Sequence, residues 1–244
     1  MASDTGPPEL SNRQRYAIVV AVGLAALVIG IVLAPTIYGS VADATAMSAD
    51  DEPENAIAVV TIEGPITAPL GETVEKQLRD IRKNYSVEAT VLKLDTPGGQ
   101  PAPSERMYTA IQRTNEEMPV VASVQSYSAS GGYYAMLPAE TIYVLPTSIT
   151  GSVGLAASAP EPSPPVEGPS GPDKRGTNEI EGWAQQELLA DVFIETVVEN
   201  RGDRIELSRE EVATAKSFLG IEAVENGMAD EIGSLDDAVR DAAE

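Results

Sequence analysis

Three nearly continuous apolar runs, each leading into a helical pattern, constrain this chain more than any other feature. "AIAVVTIEG" begins at Ala56, "EATVLKLDT" at Glu88 and "PVVASVQS" at Pro119. All three read as strands, the first of them buried. "ETVEKQLRDIRKN" follows the first run and puts Val74, Leu78 and Ile81 on one helical face. "PSERMYTAIQRTNEE" follows the second, and the stretch from Gly131 to Pro138 suits a short helix after the third. "TIYVL" reads as a further short strand. From "EGWAQQELLADVFIETVVENRG" onward the chain reads as helical, through "SREEVATAKS" with a capping box from Ser208 to Glu211, "GIEAVENG" and "SLDDAVRDAAE". Strands that alternate with helices predict an α/β fold with a mostly parallel sheet and flanking helices.

The first 55 residues read differently. Residues 1–15 are polar with Pro7-Pro8 and predict a disordered tail. Between Ala17 and Ala34 no polar side chain intervenes, and at about 1.5 Å per residue that run reaches most of a bilayer's ~30 Å apolar core. Tyr16 and Tyr38 bracket it as interface residues would. Arg13 and Arg15 precede it and acidic residues from Asp43 onward follow, which predicts a transmembrane helix over 16–38 with a cytoplasmic N-terminus. A cleaved secretory signal ending near Ala42 or Ala44 is the alternative. Residues 39–55 read as a linker, and 56–244 as the folded, extracytoplasmic domain.

Composition removes whole classes of chemistry. The chain has no cysteine and no histidine, so thiolate catalysis, a Ser-His-Asp triad and a histidine-held metal are excluded. Acidic residues number 38 against 16 basic ones, for a net charge of −22. They are spread along the chain, as in a solvated acidic surface of the kind that stays soluble in high salt. This points to a halophilic source and away from nucleic acid, whose phosphates need basic patches. No cofactor is implied.

Three short segments carry candidate chemistry. Ser130 stands between the third strand and Gly131-Gly132, an arrangement similar in logic to a nucleophile elbow although it lacks G-x-S-x-G. The Gly131 amide would then face the anion formed beside the hydroxyl. Alternatively, Ser130 is a helix cap. Asp95-Thr96-Pro97-Gly98-Gly99 also joins a strand to a helix and is either an ordinary turn or a second source of bare amides. Of five lysines, Lys76 and Lys83 sit on a charged helix, Lys93 alternates with leucines in a strand, and Lys216 ends a helix. Lys174 lies in the proline-rich loop "GPSGPDKRG", as a solvated side chain or as a base kept neutral by desolvation.

"TPGG" with "PSERMY", "ASGGYY", "ITGSVG" and "GPDK" occur here in one order. Together they resemble the signal peptide peptidase A type of serine protease, peptidase family S49, and the acidic composition suggests a haloarchaeal member. The resemblance covers roughly Ala56 to the C-terminus. It implies a ClpP/crotonase-like fold, a membrane anchor, a homo-oligomeric ring and a Ser-Lys dyad acting on apolar peptides such as remnant signal peptides. Matched position by position, Ser130 is the nucleophile, Lys174 the general base, Ser152 the residue that orients the lysine, and Gly131 and Gly99 the oxyanion-hole amides. Thr96 stands where the family more often has serine. Lys216 is the fallback base and Ser128 the alternative nucleophile. A catalytically inactive scaffold of the same fold and an acyl-CoA-binding enzyme are the rival expectations.

Overall fold

The computed structural model describes residues 56–156 and 179–244. The expected tail, transmembrane segment and linker, and the loop carrying Lys174, lie outside the described residues. Among the described residues no helix is long and apolar enough to cross a membrane.

The chain runs β1 (Ala56–Glu63), α1 (Ala68–Ile81), β2 (Val87–Thr96), α2 (Pro101–Asn115), β3 (Val120–Ala129), α3 (Gly131–Met136), β4 (Thr141–Val144) and β5 (Ile149–Gly151). After the undescribed loop come α4 (Glu179–Arg201), α5 (Arg209–Val212), β6 (Ser217–Leu219), α6 (Gly220–Glu225), β7 (Glu231–Ile232) and α7 (Leu235–Asp241). The sheet order is β1-β2-β3-β4-β7, all parallel, and β5 pairs with the far end of β3. β6 adds antiparallel to β5.

The strand period of two divides the side chains between two layers. Leu92 and Leu94 of β2 join Val60, Ile62, Val74, Leu78, Met107 and Ile111 in the main core. Val91 and Val121 face the other way and pack with Ala238 of α7. Val74 and Leu78 are buried on α1 as the helical period requires. Pro69 in the first turn of α1 and Pro101 at the start of α2 stand where a helix loses nothing by lacking an N–H.

Two expectations need correction. β1 is the edge strand of the sheet rather than a buried one, with Val59 49% exposed. The C-terminal part is not wholly helical. The capping box at Ser208 and Glu211 is present, but the helix that it starts ends at Val212. Ala215 takes a positive φ of 57°, which a helix cannot continue through, and β6 follows with Phe218 buried. Lys216 therefore precedes a strand instead of ending a helix. β5, β6 and β7 have two or three residues each, too few for a periodic signal in sequence.

A buried ion pair ties this C-terminal part to the sheet. Arg201, with its side chain fully buried, donates from both terminal guanidinium nitrogens to Asp230, at 2.7 and 3.1 Å, and from Nε to the Gly227 carbonyl at 2.7 Å. The Ile142 N–H of β4 also donates to Asp230, at 2.9 Å. The Tyr133 hydroxyl of α3 donates to the Met228 carbonyl at 2.8 Å. Removing Asp230 would strand the buried Arg201 charge, at a typical cost of about 3–5 kcal/mol, whereas Asp230 is partly exposed and also pairs with Arg204 at 3.4 Å.

Candidate active site

β2 and β3 are neighbours in the sheet, so the turns at their ends are neighbours too. Thr96 pairs with Ser128 in the register between them. At the end of β3 the chain turns through Ser130, whose φ of 51° and ψ of −123° are strained for a residue with a Cβ. The Ser130 side chain makes no capping hydrogen bond to α3. Ser130 thus holds the N-cap position of α3 without capping it through its side chain, and its hydroxyl stands at a sharp strand-to-helix turn, as in a nucleophile elbow. The Ser130 N–H donates to the Gly151 carbonyl at 2.8 Å, so β5 fixes the turn from one side.

The Gly98-Gly99 turn fixes it from the other. Ile66 donates its N–H to the Gly98 carbonyl at 2.8 Å and accepts from the Gln100 N–H at 2.9 Å. In parallel pairing of this kind the intervening residue, Gly99, turns its own N–H to the opposite side. Gly131 lies on that side: the Gly99 nitrogen is 3.3 Å from the point where a Cβ on Gly131 would stand. Among the described residues, neither the Gly99 nor the Gly131 N–H has a hydrogen-bond acceptor. Gly98 has a φ of 92°, and a methyl there would meet the Ala129 carbonyl oxygen at 2.6 Å, the Gly131 nitrogen at 2.7 Å and Ser130 Cβ at 2.9 Å. The two turns touch at a distance that only glycine allows.

Thr96 holds the glycine turn from below. It is fully buried, donates its hydroxyl to the Gly64 carbonyl at 2.6 Å and accepts from the Gly98 N–H at 3.2 Å. The role needs a small hydroxyl, which threonine supplies as well as serine does.

Ser152 follows β5, one step past the Ala129–Gly151 pairing, and so stands beside Ser130 at the sheet's end. It also has a positive φ, 55°, and its N–H donates to the Lys216 carbonyl at 2.9 Å. The Lys216 side chain points elsewhere: its amine lies 3.6 Å from a Glu222 carboxylate oxygen and 4.7 Å from the centre of the Phe218 ring. Ser128 is fully buried with its hydroxyl against the Met136 sulfur at 3.2 Å, which rules it out as a nucleophile. The structure thus brings together Ser130, Gly131, Gly99 and Ser152. Lys174 lies outside the described residues.

A small pocket, about 80 Å³, opens beside Ser130, Gly131 and Gly99. Its walls include Leu155, Leu189, Val192 and Phe193, with Ser104, Glu105 and Tyr134. Tyr134 donates a hydrogen bond to the Glu105 carboxylate. Burial, and then this bond, push the tyrosine's pKa far above its usual 10. Glu105 and Tyr134 both lie in quoted motifs, yet their pairing across 29 residues leaves no local signal.

A model of peptidase family S49 matches residues 112–163, a span that contains Ser130 and Ser152. Over 200 residues the chain is 30% identical to a putative protease of Synechocystis sp., with 75% of this chain and 71% of that protein covered. The chain belongs to peptidase family S49. Protease 4 of Haemophilus influenzae is also 30% identical, over 218 residues and 77% of this chain. This S49 chain spans only about a third (34%) of the length of that relative. Among solved structures, ClpP1 from Listeria monocytogenes superposes with a TM-score of 0.56 at 19% identity, over 76% of this chain and 94% of that one. At that identity the likeness concerns the fold, which is ClpP-like.

Proposed function

We propose that the chain is a membrane-anchored serine endopeptidase of the signal peptide peptidase A type. The observation that carries the proposal is the strained Ser130, with no side-chain capping bond, beside the amides of Gly131 and Gly99, which have no acceptor among the described residues. Ser130 attacks a peptide carbonyl, and the two amides receive the oxyanion that forms. The chain has no histidine, and in the Ser-Lys dyad that the resemblance implies a lysine takes the serine proton; Lys174 is the residue that we assign to it. The base has to be neutral, which requires its surroundings to exclude water. The hydroxyl of Ser152 orients the amine. Protonated Lys174 then passes its proton to the leaving amine, and the same amine activates the water that releases the acyl group.

The apolar walls of the pocket support apolar peptides as substrates, remnant signal peptides among them. The apolar run over 16–38 supports a single membrane span, with the N-terminus in the cytoplasm and the catalytic domain outside. α4 has apolar side chains on its exposed as well as its buried side: Trp183, Leu188, Leu189 and Val192 reach solvent while Phe193, Ile194 and Val197 are buried. That surface supports contact between copies in a homo-oligomeric ring, in which Lys174 of one copy serves either its own Ser130 or a neighbour's.

The test is a set of single substitutions assayed on apolar peptides in molar salt. Ser130→Ala and Lys174→Ala are each expected to abolish cleavage. Full activity in Lys174→Ala would remove that residue as the base. Loss in Lys93→Ala or Lys216→Ala instead would move the role there. Topology is checked with a cysteine introduced into residues 1–12, which a membrane-impermeant reagent should leave unlabelled in intact cells.

A further inference from the structure

The pocket beside Ser130 contains a carboxylate that the proposed chemistry does not use. Its walls touch the nucleophile and both amide-bearing glycines. The side chain of the residue whose carbonyl is attacked therefore enters here. Leu155, Leu189, Val192 and Phe193 offer that side chain an apolar lining, suited to a run of methylenes. Glu105 adds one charge to that lining.

Glu105 differs from the many other carboxylates of this acidic chain in how it is held. Its partner Tyr134 is only 7% exposed and lies against the rings of Tyr108 and Phe193, with each centroid 5.1 Å away. A carboxylate has about four acceptor positions, and the Tyr134 hydroxyl fills one. Arginines lie nearby, but none of them forms an ion pair with Glu105. Arg79, Arg82, Arg106 and Arg113 border the adjoining cleft between α1 and α2, which Glu105 also borders. Arg106 turns to Glu72 at 3.4 Å and Glu75 at 3.8 Å, and Arg82 to Glu117 at 3.3 Å. Among the described residues, no cation forms an ion pair with Glu105.

We infer that Glu105 makes this pocket select long side chains with a cationic tip, lysine or arginine, at the position just before the cleaved bond. The inference rests on the proteolytic role proposed for Ser130. The methylenes of such a side chain lie along the apolar walls, and its charged end meets the free acceptor positions of Glu105. Apolar residues flanking the cleavage site remain compatible with it.

The experiment uses the full chain and three peptides that differ only at that position, carrying lysine, norleucine or glutamate. Norleucine keeps the lysine stem and lacks the charge. The wild type is expected to favour lysine over norleucine by about tenfold in kcat/KM, the size of one charge-assisted hydrogen bond, and to cleave the glutamate peptide least. The ratio is measured at the lowest salt at which the chain stays folded, because screening weakens it. In Glu105→Gln, which keeps an acceptor for Tyr134 and loses the charge, the ratio is expected to fall to about one. In Tyr134→Phe, which keeps the charge, a lysine preference of about threefold or more should persist. A wild type that cleaves the norleucine peptide with no lysine preference would overturn this inference and leave the protease assignment standing. So would an unchanged ratio in Glu105→Gln, or equal losses on both peptides. A wild type as inert as Ser130→Ala on all three peptides would overturn the protease assignment and this inference with it.

Discussion

Two turns in this molecule do the same topological work and are built differently. Each carries the chain from the end of a parallel strand into a helix, Thr96 to Gln100 after β2 and Ser130 after β3. In the first, the positive φ falls on Gly98, where it costs little. In the second, it falls on Ser130, where strain of this kind typically costs about 1–3 kcal/mol. The glycine turn is also held by a buried hydroxyl, that of Thr96, whereas the Ser130 hydroxyl caps nothing. Strain at a residue whose hydroxyl caps no helix is what supports the catalytic role proposed for Ser130. The glycine turn packs directly against it, with the backbones of Gly98 and Gly99 close to Gly131.

The comparison can be broken in four ways. The largest effect is expected from Ser130→Ala, which should lower kcat for peptide cleavage by about 10⁴-fold or more while the fold is kept, as checked by circular dichroism. Gly98→Ala comes next. Its methyl would collide with both the Ala129 carbonyl and the Gly131 amide, so a loss of about 2–4 kcal/mol is expected in denaturant unfolding, with activity falling alongside. Thr96→Val removes one donor and one acceptor without changing the shape much. It should cost about 1–2 kcal/mol and leave the Ser130 hydroxyl reactive toward a fluorophosphonate. The smallest effect has the opposite sign: Ser130→Gly should abolish cleavage and yet raise stability by about 0.5–1 kcal/mol, because glycine relieves the strain. A destabilised Ser130→Gly would mean that the two turns do not differ as described.

Much of this site was legible in the sequence, because elbows announce themselves locally. A strand pattern running into Ser-Gly-Gly, and another running into Pro-Gly-Gly, are each contained in about a dozen residues. The short strands were not legible. β5 has three residues and β7 two, and each exists only because the sheet edge beside it offers unpaired groups. The Arg201–Asp230 pair gave no sign either, since nothing local separates a buried arginine from the chain's many solvated charges.

By itself the sequence settled the α/β order of elements through β4, the position of Ser130 at a strand-to-helix turn, and the exclusion of histidine and cysteine chemistry. Those depend on periodicity and on residue type, which act between near neighbours. Only the tertiary structure decided that the Gly99 and Gly131 backbones come together beside Ser130, that Ser128 is closed off, that Lys216 is turned toward Glu222, and that Glu105 meets Tyr134 in the pocket. Each of these follows from the register of parallel strands and from the packing of helices distant in sequence, which no local pattern encodes.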